Sequence, residues 1–273
     1  NEWITERTGI NSRYMARKDE TNATMGTEAS KKAIEQANQI ENRKIECVIA
    51  ATNSTIANSY SAAGFPCAAA LIQEELVNYV TTNCGFFDVL CGCTGINYAL
   101  SIADSFIKAH MYERVLVIGT DKLSAVTDFS DRSTCVLLSD GATAYILDAG
   151  EKPGFNGHRL HGNGSLRTVI TSTIKERRSL EGIIEKSPTL EMEGRTVHKQ
   201  VSKILLDLIV DFEKDKILNK EGKRMKEIKK IIAHQANRRI FENVANIIER
   251  KYPELGMTNE EMLNKFVITV GSH

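Results

Sequence analysis

The sequence predicts an α/β fold, because helix-like and strand-like segments alternate along the chain. Residues 114–120 form an almost unbroken apolar run, which is typical of a strand buried on both faces of a sheet. The order of helices and strands in the first half of the chain recurs in the second half. These observations favour two halves built on one plan.

In the first half, residues 21–39 predict a helix with one apolar face. The inward positions of that face are Met25, Ala29, Ala33, Ile34 and Ala37. A strand at 46–51 follows, and Pro66 suits the first position of a helix that extends to about residue 80. Residues 86–90 predict the next strand and residues 94–104 the helix after it. Residues 134–138 and 142–147 predict a hairpin joined at Ser139-Asp140-Gly141.

The second half predicts a helix, a strand, a helix and a strand at residues 201–218, 228–233, 238–252 and 266–270. This order matches the first half, so we expect domains at residues 1–150 and 151–273. The segment after Val270 would then be the counterpart of the segment that holds Cys93. The similarity is one of pattern, since residue identity between the halves is low.

Composition excludes some classes of protein. Lysine plus arginine and aspartate plus glutamate number 35 each, so the formal net charge of +0 gives no bulk attraction to nucleic acid or to a membrane. No apolar run approaches the roughly 20 residues that span a bilayer, and the chain opens at Asn1 without a basic and apolar leader. We therefore expect a soluble cytoplasmic protein that binds neither nucleic acid nor membrane.

The six cysteines are expected to be reduced thiols, because the chain is long and shows no export signal. They are Cys47, Cys67, Cys84, Cys91, Cys93 and Cys135. The Cys91-Gly92-Cys93 run has no companion residues at zinc spacing, so no metal is expected.

Cys93 is the strongest candidate for a nucleophile. It stands between the strand-like run 86–90 and the helix-like run 94–104. A thiol at a helix N-terminus faces unpaired N–H groups and the positive end of the helix dipole, which favour the thiolate. His234 stands at a second strand-to-helix junction, in His234-Gln235-Ala236-Asn237. A cysteine and a histidine on separate strand ends indicate covalent acyl chemistry, although either residue alone is more often part of a core.

These residues resemble the β-ketoacyl-ACP synthase III family of the thiolase superfamily, over essentially the whole chain. Five groups carry the resemblance: Glu2-Trp3-Ile4 with Arg7-Thr8-Gly9-Ile10, Cys93-Thr94-Gly95, Asp131-Arg132-Ser133-Thr134, Ser139-Asp140-Gly141-Ala142 and His234-Gln235-Ala236-Asn237. The resemblance implies a thiolase-like five-layer αβαβα fold, a homodimer and no metal or redox cofactor. It also implies decarboxylative condensation of an acyl-CoA starter with malonyl-ACP, which initiates fatty acid synthesis.

The resemblance further implies that the chain is truncated at both ends. Family members have a strand before the equivalent of Glu2, and they continue beyond the equivalent of His273 into a Gly-Asn-Thr segment whose asparagine completes the catalytic triad. The sequence therefore contains Cys93 and His234 but not the triad asparagine, and the isolated fragment is expected to be inactive.

The coenzyme A site follows from the same resemblance. Trp3 and Arg132 match positions that hold adenine between them, Arg7 matches a phosphate contact, and Gly194 and Asn237 match positions along the pantetheine arm. An indole face and a guanidinium plane are suited to a purine. Trp3 alone could instead cap a core.

Three segments depart from the family pattern. Residues 53–64 are longer than their counterpart and lead to Phe65, which in relatives shapes the partner subunit's acyl pocket. His198 occupies a tunnel position that is commonly apolar, so the acyl preference does not follow from the sequence. Residues 214–230 carry eight basic side chains on which acidic ACP could dock, although acidic neighbours also fit a solvated loop.

Three hypotheses for function remain. The leading one is a β-ketoacyl-ACP synthase III. The second is a related Cys-His-Asn acyltransferase or condensing enzyme of secondary metabolism, suggested by Leu90-Cys91-Gly92 and His198. The third is a non-catalytic acyl-binding protein, suggested by the absent triad asparagine.

Overall fold

The computed structural model describes residues 2–54, 65–151, 154–219 and 221–272. The chain divides into two compact units. The Cys93 unit contains Tyr14–Val126 and Ser139–Pro153, and the His234 unit contains Asn1–Arg13, Thr127–Leu138 and Gly154–His273. The division into domains 1–150 and 151–273 stays a prediction.

The helices of the described residues are α1 (Glu2–Thr8), α2 (Asn22–Asn38), α3 (Ala68–Glu75), α4 (Gly95–Lys108), α5 (Gly194–Asp211), α6 (Arg238–Lys251) and α7 (Asn259–Lys265). The strands are β1 (Ile45–Ala51), β2 (Val80–Val89), β3 (Arg114–Lys122), β4 (Asp140–Asp148), β5 (Ile170–Arg178) and β6 (Ile184–Met192). Helices and strands are thus mixed in one chain, as the sequence predicts.

The Cys93 unit is built on a four-stranded sheet of order β2-β1-β3-β4. Strand β1 runs parallel to both β2 and β3, and β4 runs antiparallel to β3. The apolar run of β3 lies at the centre, with Leu116, Val117 and Ile118 fully buried. The prediction of a strand buried on both faces is therefore confirmed.

Helices cover both faces of this sheet, because alternate side chains of β1 point to opposite sides. Val48 and Ala50 belong to one apolar cluster, with residues of α2 and α3, while Cys47 and Ile49 belong to another, with residues of α4. The predicted helix at 21–39 is confirmed as α2, but its predicted inward face is wrong in detail. Of the predicted inward positions only Ile34 is buried, and the other buried residues of α2 are Asn22, Ala23, Gly26, Thr27 and Ser30. The helix begins after Thr21, which forms a capping box with Thr24.

Two predictions in or next to this unit are wrong in detail. The helix predicted from Pro66 to residue 80 is shorter: α3 begins after Cys67 and ends at Glu75, because residue 80 starts β2. Residues 134–138 and 142–147 do not form a hairpin. Cys135–Leu137 is a single 3₁₀ turn, and β4 pairs with β3.

The hairpin prediction failed because Asp140 does not sit in a tight turn. Its carboxylate accepts hydrogen bonds from the backbone N–H of Ser124 at 2.8 Å, from Ser124 Oγ at 2.6 Å and from the backbone N–H of Ala16 at 2.8 Å. These contacts fix the start of β4 beside the end of β3. The apolar edge of β3 is then the strand's partner.

The His234 unit has an antiparallel hairpin of β5 and β6 and a helical core. No strands were predicted from the sequence for this hairpin, which turns at Gly182 with a φ of 82°. Helix α6 matches the prediction at 238–252, and it buries Phe241, Val244 and Ile248. Helix α5 begins at Gly194 rather than at residue 201, and the prediction missed its start because the first turn carries few apolar residues. It ends at Asp211 rather than at residue 218, and a 3₁₀ turn, Phe212–Lys214, follows it.

The strands predicted at 228–233 and 266–270 are wrong as regular strands. A single parallel bridge joins Ile231 to Phe266. Its hydrogen bonds run from Ile231 N to Lys265 O at 2.8 Å and from Val267 N to Ile231 O at 3.0 Å. Beyond Val267 the side chain of Gln235 replaces the backbone as the pairing partner, so a continuous ladder does not form.

Candidate active site

Cys93 lies in a short turn between β2 and α4. Strand β2 ends at Val89, a 3₁₀ turn covers Gly92–Thr94, and α4 begins at Gly95. Gly92 has a φ of +58°, a left-handed conformation that strains other residues. In the part of the chain that the structure describes, no residue other than its chain neighbours lies within 4 Å of an added Cβ. Cys93 is exposed as a residue, which leaves part of it open to a substrate, although nearby protein atoms still desolvate its sulfur.

The parallel sheet holds this turn in place. Thr52 N, just after β1, donates to Val89 O at 3.2 Å, which ties the ends of two strands together. At Gly95 an added Cβ would lie 3.2 Å from the Cβ of Ala51, so glycine lets the start of α4 approach β1 closely. Cys93 therefore lies at the carboxyl edge of β1, β2 and β3, where parallel sheets commonly bind ligands.

The electrostatics of the thiol differ from the sequence-based expectation. Desolvation by surrounding protein atoms raises the pKa of Cys93, and the carboxylate of Asp121 raises it further. The backbone N–H of Cys93 acts in the opposite direction on the pKa but is outweighed. The net shift of the pKa is therefore opposite to the one that N–H groups at a helix N-terminus alone would give, because desolvation and the Asp121 carboxylate outweigh them.

His234 lies in an irregular segment between the Ile231 bridge and α6, with an exposed side chain. The next residue fixes this segment. Gln235 Nε2 donates to Ala233 O at 2.9 Å and to Val267 O at 2.8 Å, and Gln235 Oε1 accepts from Thr269 N at 2.8 Å. The turn that presents the imidazole is thus anchored to the neighbouring segment by one carboxamide.

Asn237 serves as the N-cap of α6. Its Oδ1 accepts from Arg239 N at 2.8 Å, and its Nδ2 donates to Arg7 O at 3.3 Å. The side chain therefore joins the start of α6 to the end of α1. Gly194 is the exposed first residue of α5, with open space where a Cβ would lie.

Trp3, Arg7 and Arg132 form a cluster on the His234 unit. The guanidinium carbons of Arg7 and Arg132 lie 5.3 Å and 4.9 Å from the centroid of the indole ring, within the range of cation–π contacts. Trp3 is 43% exposed, so it does not cap a core. The structure thus brings together three of the residues that the resemblance links to coenzyme A.

His234, Gly194 and Asn237 lie in the same unit as this cluster, whereas Cys93 lies in the other unit. The pairing of Cys93 with His234 stays a prediction. Sequence patterns did not reveal that Gln235, Asn53 and Asp121 hold the loops around the candidate site by hydrogen bonds. Gln235 stands directly after His234, and a polar residue at that position could have been recognised as a candidate anchor.

Among the described residues, no group of three or more histidine, cysteine, aspartate or glutamate side chains is arranged to hold a metal ion. Within the same residues, no helix has the length and apolar character needed to cross a bilayer.

Comparison with known proteins identifies the family. A model of 3-oxoacyl-[acyl-carrier-protein (ACP)] synthase III matches residues 87–164. The β-ketoacyl-[acyl-carrier-protein] synthase III of Neisseria meningitidis is 33% identical over 272 residues, which cover 100% of this chain and 76% of that protein. The 3-oxoacyl-[acyl-carrier-protein] synthase III from Aquifex aeolicus has 32% identity and a TM-score of 0.77, covering 100% of this chain and 76% of its own.

A priming β-ketosynthase from the R1128 polyketide biosynthetic pathway is also similar, with 27% identity, a TM-score of 0.76 and coverage of 98% of this chain and 72% of its own. Together these likenesses define a condensing enzyme with the predicted thiolase-like α/β fold. The chain belongs to the β-ketoacyl-ACP synthase III family. It is therefore an acyltransferase, which removes the hypothesis of a non-catalytic binding protein.

Proposed function

We propose that the protein condenses an acyl-CoA starter with malonyl-ACP through a Cys93 acyl-enzyme, as the first condensation of fatty acid synthesis. The observation that carries this proposal is the position of Cys93. It lies within the family-matched residues, exposed, in the turn between a parallel strand and α4. This position suits a nucleophile that must meet a thioester from solvent.

The first half-reaction would be acyl transfer. The Cys93 sulfur attacks the thioester carbonyl, a new carbon–sulfur bond forms, and coenzyme A leaves as a thiol after taking up the proton. Backbone N–H groups, including that of Cys93, would stabilise the oxyanion at roughly 3 kcal/mol per donor. Because the pKa of Cys93 is raised, the thiol is mostly protonated at neutral pH, and its acylation should accelerate as the pH rises.

The second half-reaction would be decarboxylative condensation. Malonyl-ACP loses carbon dioxide, and the electron pair of the broken carbon–carbon bond moves into an enolate. His234 Nε2, with the triad asparagine that the family resemblance implies, would donate hydrogen bonds to the enolate oxygen. These bonds strengthen as charge develops, which raises the rate rather than only the affinity. The enolate carbon then attacks the acyl group and releases Cys93. The electron pair stays within the reactants and no external oxidant or reductant is needed; we propose that no redox cofactor takes part and, as the resemblance implies, no metal.

We propose that the cluster of Trp3, Arg7 and Arg132 binds the nucleotide end of coenzyme A. Its exposed indole and two cations are suited to a purine and to phosphate groups. The guanidinium of Arg132 lies over the indole ring of Trp3, so it must move aside before a purine can stack between Trp3 and Arg132. Gly194 would let the pantetheine arm pass close to the backbone, and Asn237 would line the same arm.

We propose that the protein is a homodimer that acts in the cytoplasm. Strand β2 is an edge strand of the four-stranded sheet formed by the described residues. It is ten residues long and carries Phe86, which is 47% exposed, while Leu90 just beyond it is 67% exposed. A long apolar edge is usually covered, and a second copy of this chain would cover it. That Phe65 shapes the acyl pocket of the partner subunit stays a prediction, and residues 55–64 of the preceding segment lie outside the described residues.

The basic segment 214–230 is our proposed ACP contact. Its basic side chains that the structure describes are exposed: Lys214, Lys216, Lys223, Arg224, Lys226, Lys229 and Lys230. Lys220 lies outside the described residues. Lys223 pairs with Glu221, which weakens the patch locally, whereas the cations near Lys229 remain suited to an acidic partner.

Intact-protein mass spectrometry tests the proposed function. Wild type and Cys93→Ala, as full-length proteins, are incubated briefly with a panel of acyl-CoAs. We expect an acyl adduct on wild type alone, and its mass identifies the starter. Absence of an adduct from every acyl-CoA, with folding verified by circular dichroism, would contradict an acyl-CoA starter.

The second candidate is a priming condensing enzyme of secondary metabolism, favoured by the likeness to the R1128 enzyme. The same experiment separates the two when malonyl-ACP is added. Turnover of the adduct with release of carbon dioxide supports the leading proposal. A persistent adduct that moves to a different acceptor supports the second.

A further inference from the structure

Asp121, at the carboxyl end of β3, gathers the loop that follows β1. Its Oδ1 accepts from Asn53 N at 2.6 Å, from Ser54 N at 3.0 Å, from Ser54 Oγ at 3.1 Å and from Thr52 Oγ1 at 3.2 Å. Thr52 and Ser54 are buried. These donors are neutral groups, so the carboxylate is held by a cage of hydrogen bonds rather than by an ion pair with them.

The Asn53 carboxamide carries this network to the Cys93 turn. Asn53 Nδ2 donates to Asp121 Oδ2 at 3.1 Å and to Gly92 O at 3.2 Å. An amide nitrogen has two hydrogens, so both contacts can form at once. Gly92 O also accepts from Gly95 N, which closes the 3₁₀ turn. The residue before the nucleophile is therefore held through its carbonyl from two sides.

Gly92 needs such an external contact. It has no side chain, its φ is +58°, and among the described residues none beyond its chain neighbours comes within 4 Å of an added Cβ. A left-handed glycine is also conformationally permissive, so its own backbone preference does not fix the turn. The hydrogen bond from Asn53 is the contact that ties Gly92 to the end of β1.

We propose that Asn53 and Asp121 are positioning residues that act together on the nucleophile: Asp121 orients the Asn53 carboxamide, and Asn53 holds the Gly92 carbonyl so that Cys93 meets the thioester at a fixed angle. The role in acylation rests on the proposed function. The hold on the turn does not, and it can be measured without substrate.

The electrostatic setting supports the same arrangement. Desolvation is the larger cause of the raised pKa of the Cys93 thiol, and the carboxylate of Asp121 adds to it. A carboxylate beside a nucleophile is unfavourable for thiolate formation. Its presence there is accounted for if the carboxylate serves to hold Asn53 and the loop after β1.

Two measurements on the full-length protein test the proposal. The first is hydrogen–deuterium exchange of the peptide that covers the Cys93 turn, in wild type, in Asn53→Ala and in Asn78→Ala. Asn78 is an exposed asparagine of the same unit and serves as the matched control. We expect Asn53→Ala alone to speed exchange in the turn. Exchange at the wild-type rate in Asn53→Ala would overturn the proposal.

The second measurement is the acylation rate with the acyl-CoA that labels wild type. Loss of one hydrogen bond that orients the turn should lower kcat by about five-fold and leave KM unchanged, and Asn53→Gln, which keeps the amide, should restore part of the loss. A change in KM alone would mean that Asn53 contacts substrate and would overturn the positioning role. If no acyl-CoA labels wild type, the proposed function fails, while the exchange result still decides whether Asn53 holds the turn.

Asp121→Asn removes the charge; its amide oxygen can still accept from the loop after β1, but its amide nitrogen cannot accept from Asn53 Nδ2. Iodoacetamide alkylation of Cys93 is followed from pH 6 to 10. Removal of the carboxylate should move the rate curve to lower pH, because the charge that raises the pKa is gone, whereas Asn53→Ala should leave the curve in place. A curve that does not move in Asp121→Asn would contradict the placement of Asp121 beside Cys93. Thermal unfolding by circular dichroism confirms that each variant is folded.

Discussion

The turns at Cys93 and at His234 solve the same problem in different ways. Both follow a strand-like segment and precede a helix, α4 in one case and α6 in the other. The Cys93 turn follows strand β2, whose last five residues, Gly85 to Val89, pair in unbroken register with β1. The His234 turn follows a single bridge at Ile231, and the side chain of Gln235 supplies the remaining contacts.

This difference shows that one sequence pattern can be stabilised either by a backbone ladder or by a side-chain amide. A ladder spreads its stabilisation over many hydrogen bonds, so one substitution changes it little. A carboxamide concentrates three hydrogen bonds in one residue, Gln235. The His234 turn should therefore be the more sensitive of the two to a single substitution.

The largest effect is expected at His234 itself. His234→Ala should lower the rate of decarboxylative condensation by about 100-fold or more, because it removes a donor to the developing enolate. Acylation of Cys93 should fall much less. Carbon dioxide release from malonyl-ACP and adduct formation by mass spectrometry measure the two half-reactions. Equal loss in both would contradict the assigned role, and His161→Ala, at an exposed histidine, is the control.

The second prediction compares the two strand segments. Leu116, in β3, is fully buried, with 0% of its surface accessible to solvent. Leu116→Ala should lower the free energy of unfolding by about 2–5 kcal/mol. Ile231 is only partly buried, so Ile231→Ala should cost roughly half as much or less, since the loss scales with the buried area. Urea denaturation measures both, and equal losses would show that the bridge segment is as well packed as β3.

The sequence predicted the parts of the fold in which a pattern and a burial requirement agree. Strand β3 was recognisable because a run of apolar residues is buried on both faces, and α2 because its apolar spacing begins after a capping threonine, Thr21. The hairpin of β5 and β6 gave no such signal, because its buried and exposed positions alternate weakly and Ile174 and Ile184 are exposed. Tertiary contacts decide such segments.

The candidate site was predictable in its reactive residues and not in their surroundings. Cys93 and His234 stand at junctions that the sequence shows. Asp121 acts on Cys93 from the end of another strand, and the distance along the chain hides that contact from any local pattern. Burial of the thiol, the larger cause of its raised pKa, is likewise set by tertiary packing, so neither contribution follows from the local sequence.

The third prediction concerns Gln235. Gln235→Ala removes three hydrogen bonds and should lower the free energy of unfolding by about 2 kcal/mol. Gln235→Glu keeps the acceptor for Thr269 N, but when ionised it turns a carboxylate oxygen toward the carbonyls of Ala233 and Val267, so its loss near pH 8 should be at least as large as that of Gln235→Ala. Gln36→Ala, at an exposed position of α2, is the control and should cost nothing measurable. If Gln235→Ala matches that control, the carboxamide does not hold the His234 turn.

The smallest expected effect is a displacement of the Cys93 titration, and it bears directly on how the two turns differ. Iodoacetamide reacts with thiolate, so its rate against pH reports the pKa of the sulfur. For Cys93 the midpoint should lie above the value of about 8.5 found for free cysteine, because desolvation and Asp121 both disfavour the thiolate. Alkylation at neutral pH should therefore be slower than that of a small thiol, with Cys93→Ala subtracting the contribution of the other cysteines. A midpoint below that of free cysteine would mean that the N-terminus of α4 outweighs burial, and the Cys93 turn would then activate its nucleophile without a base.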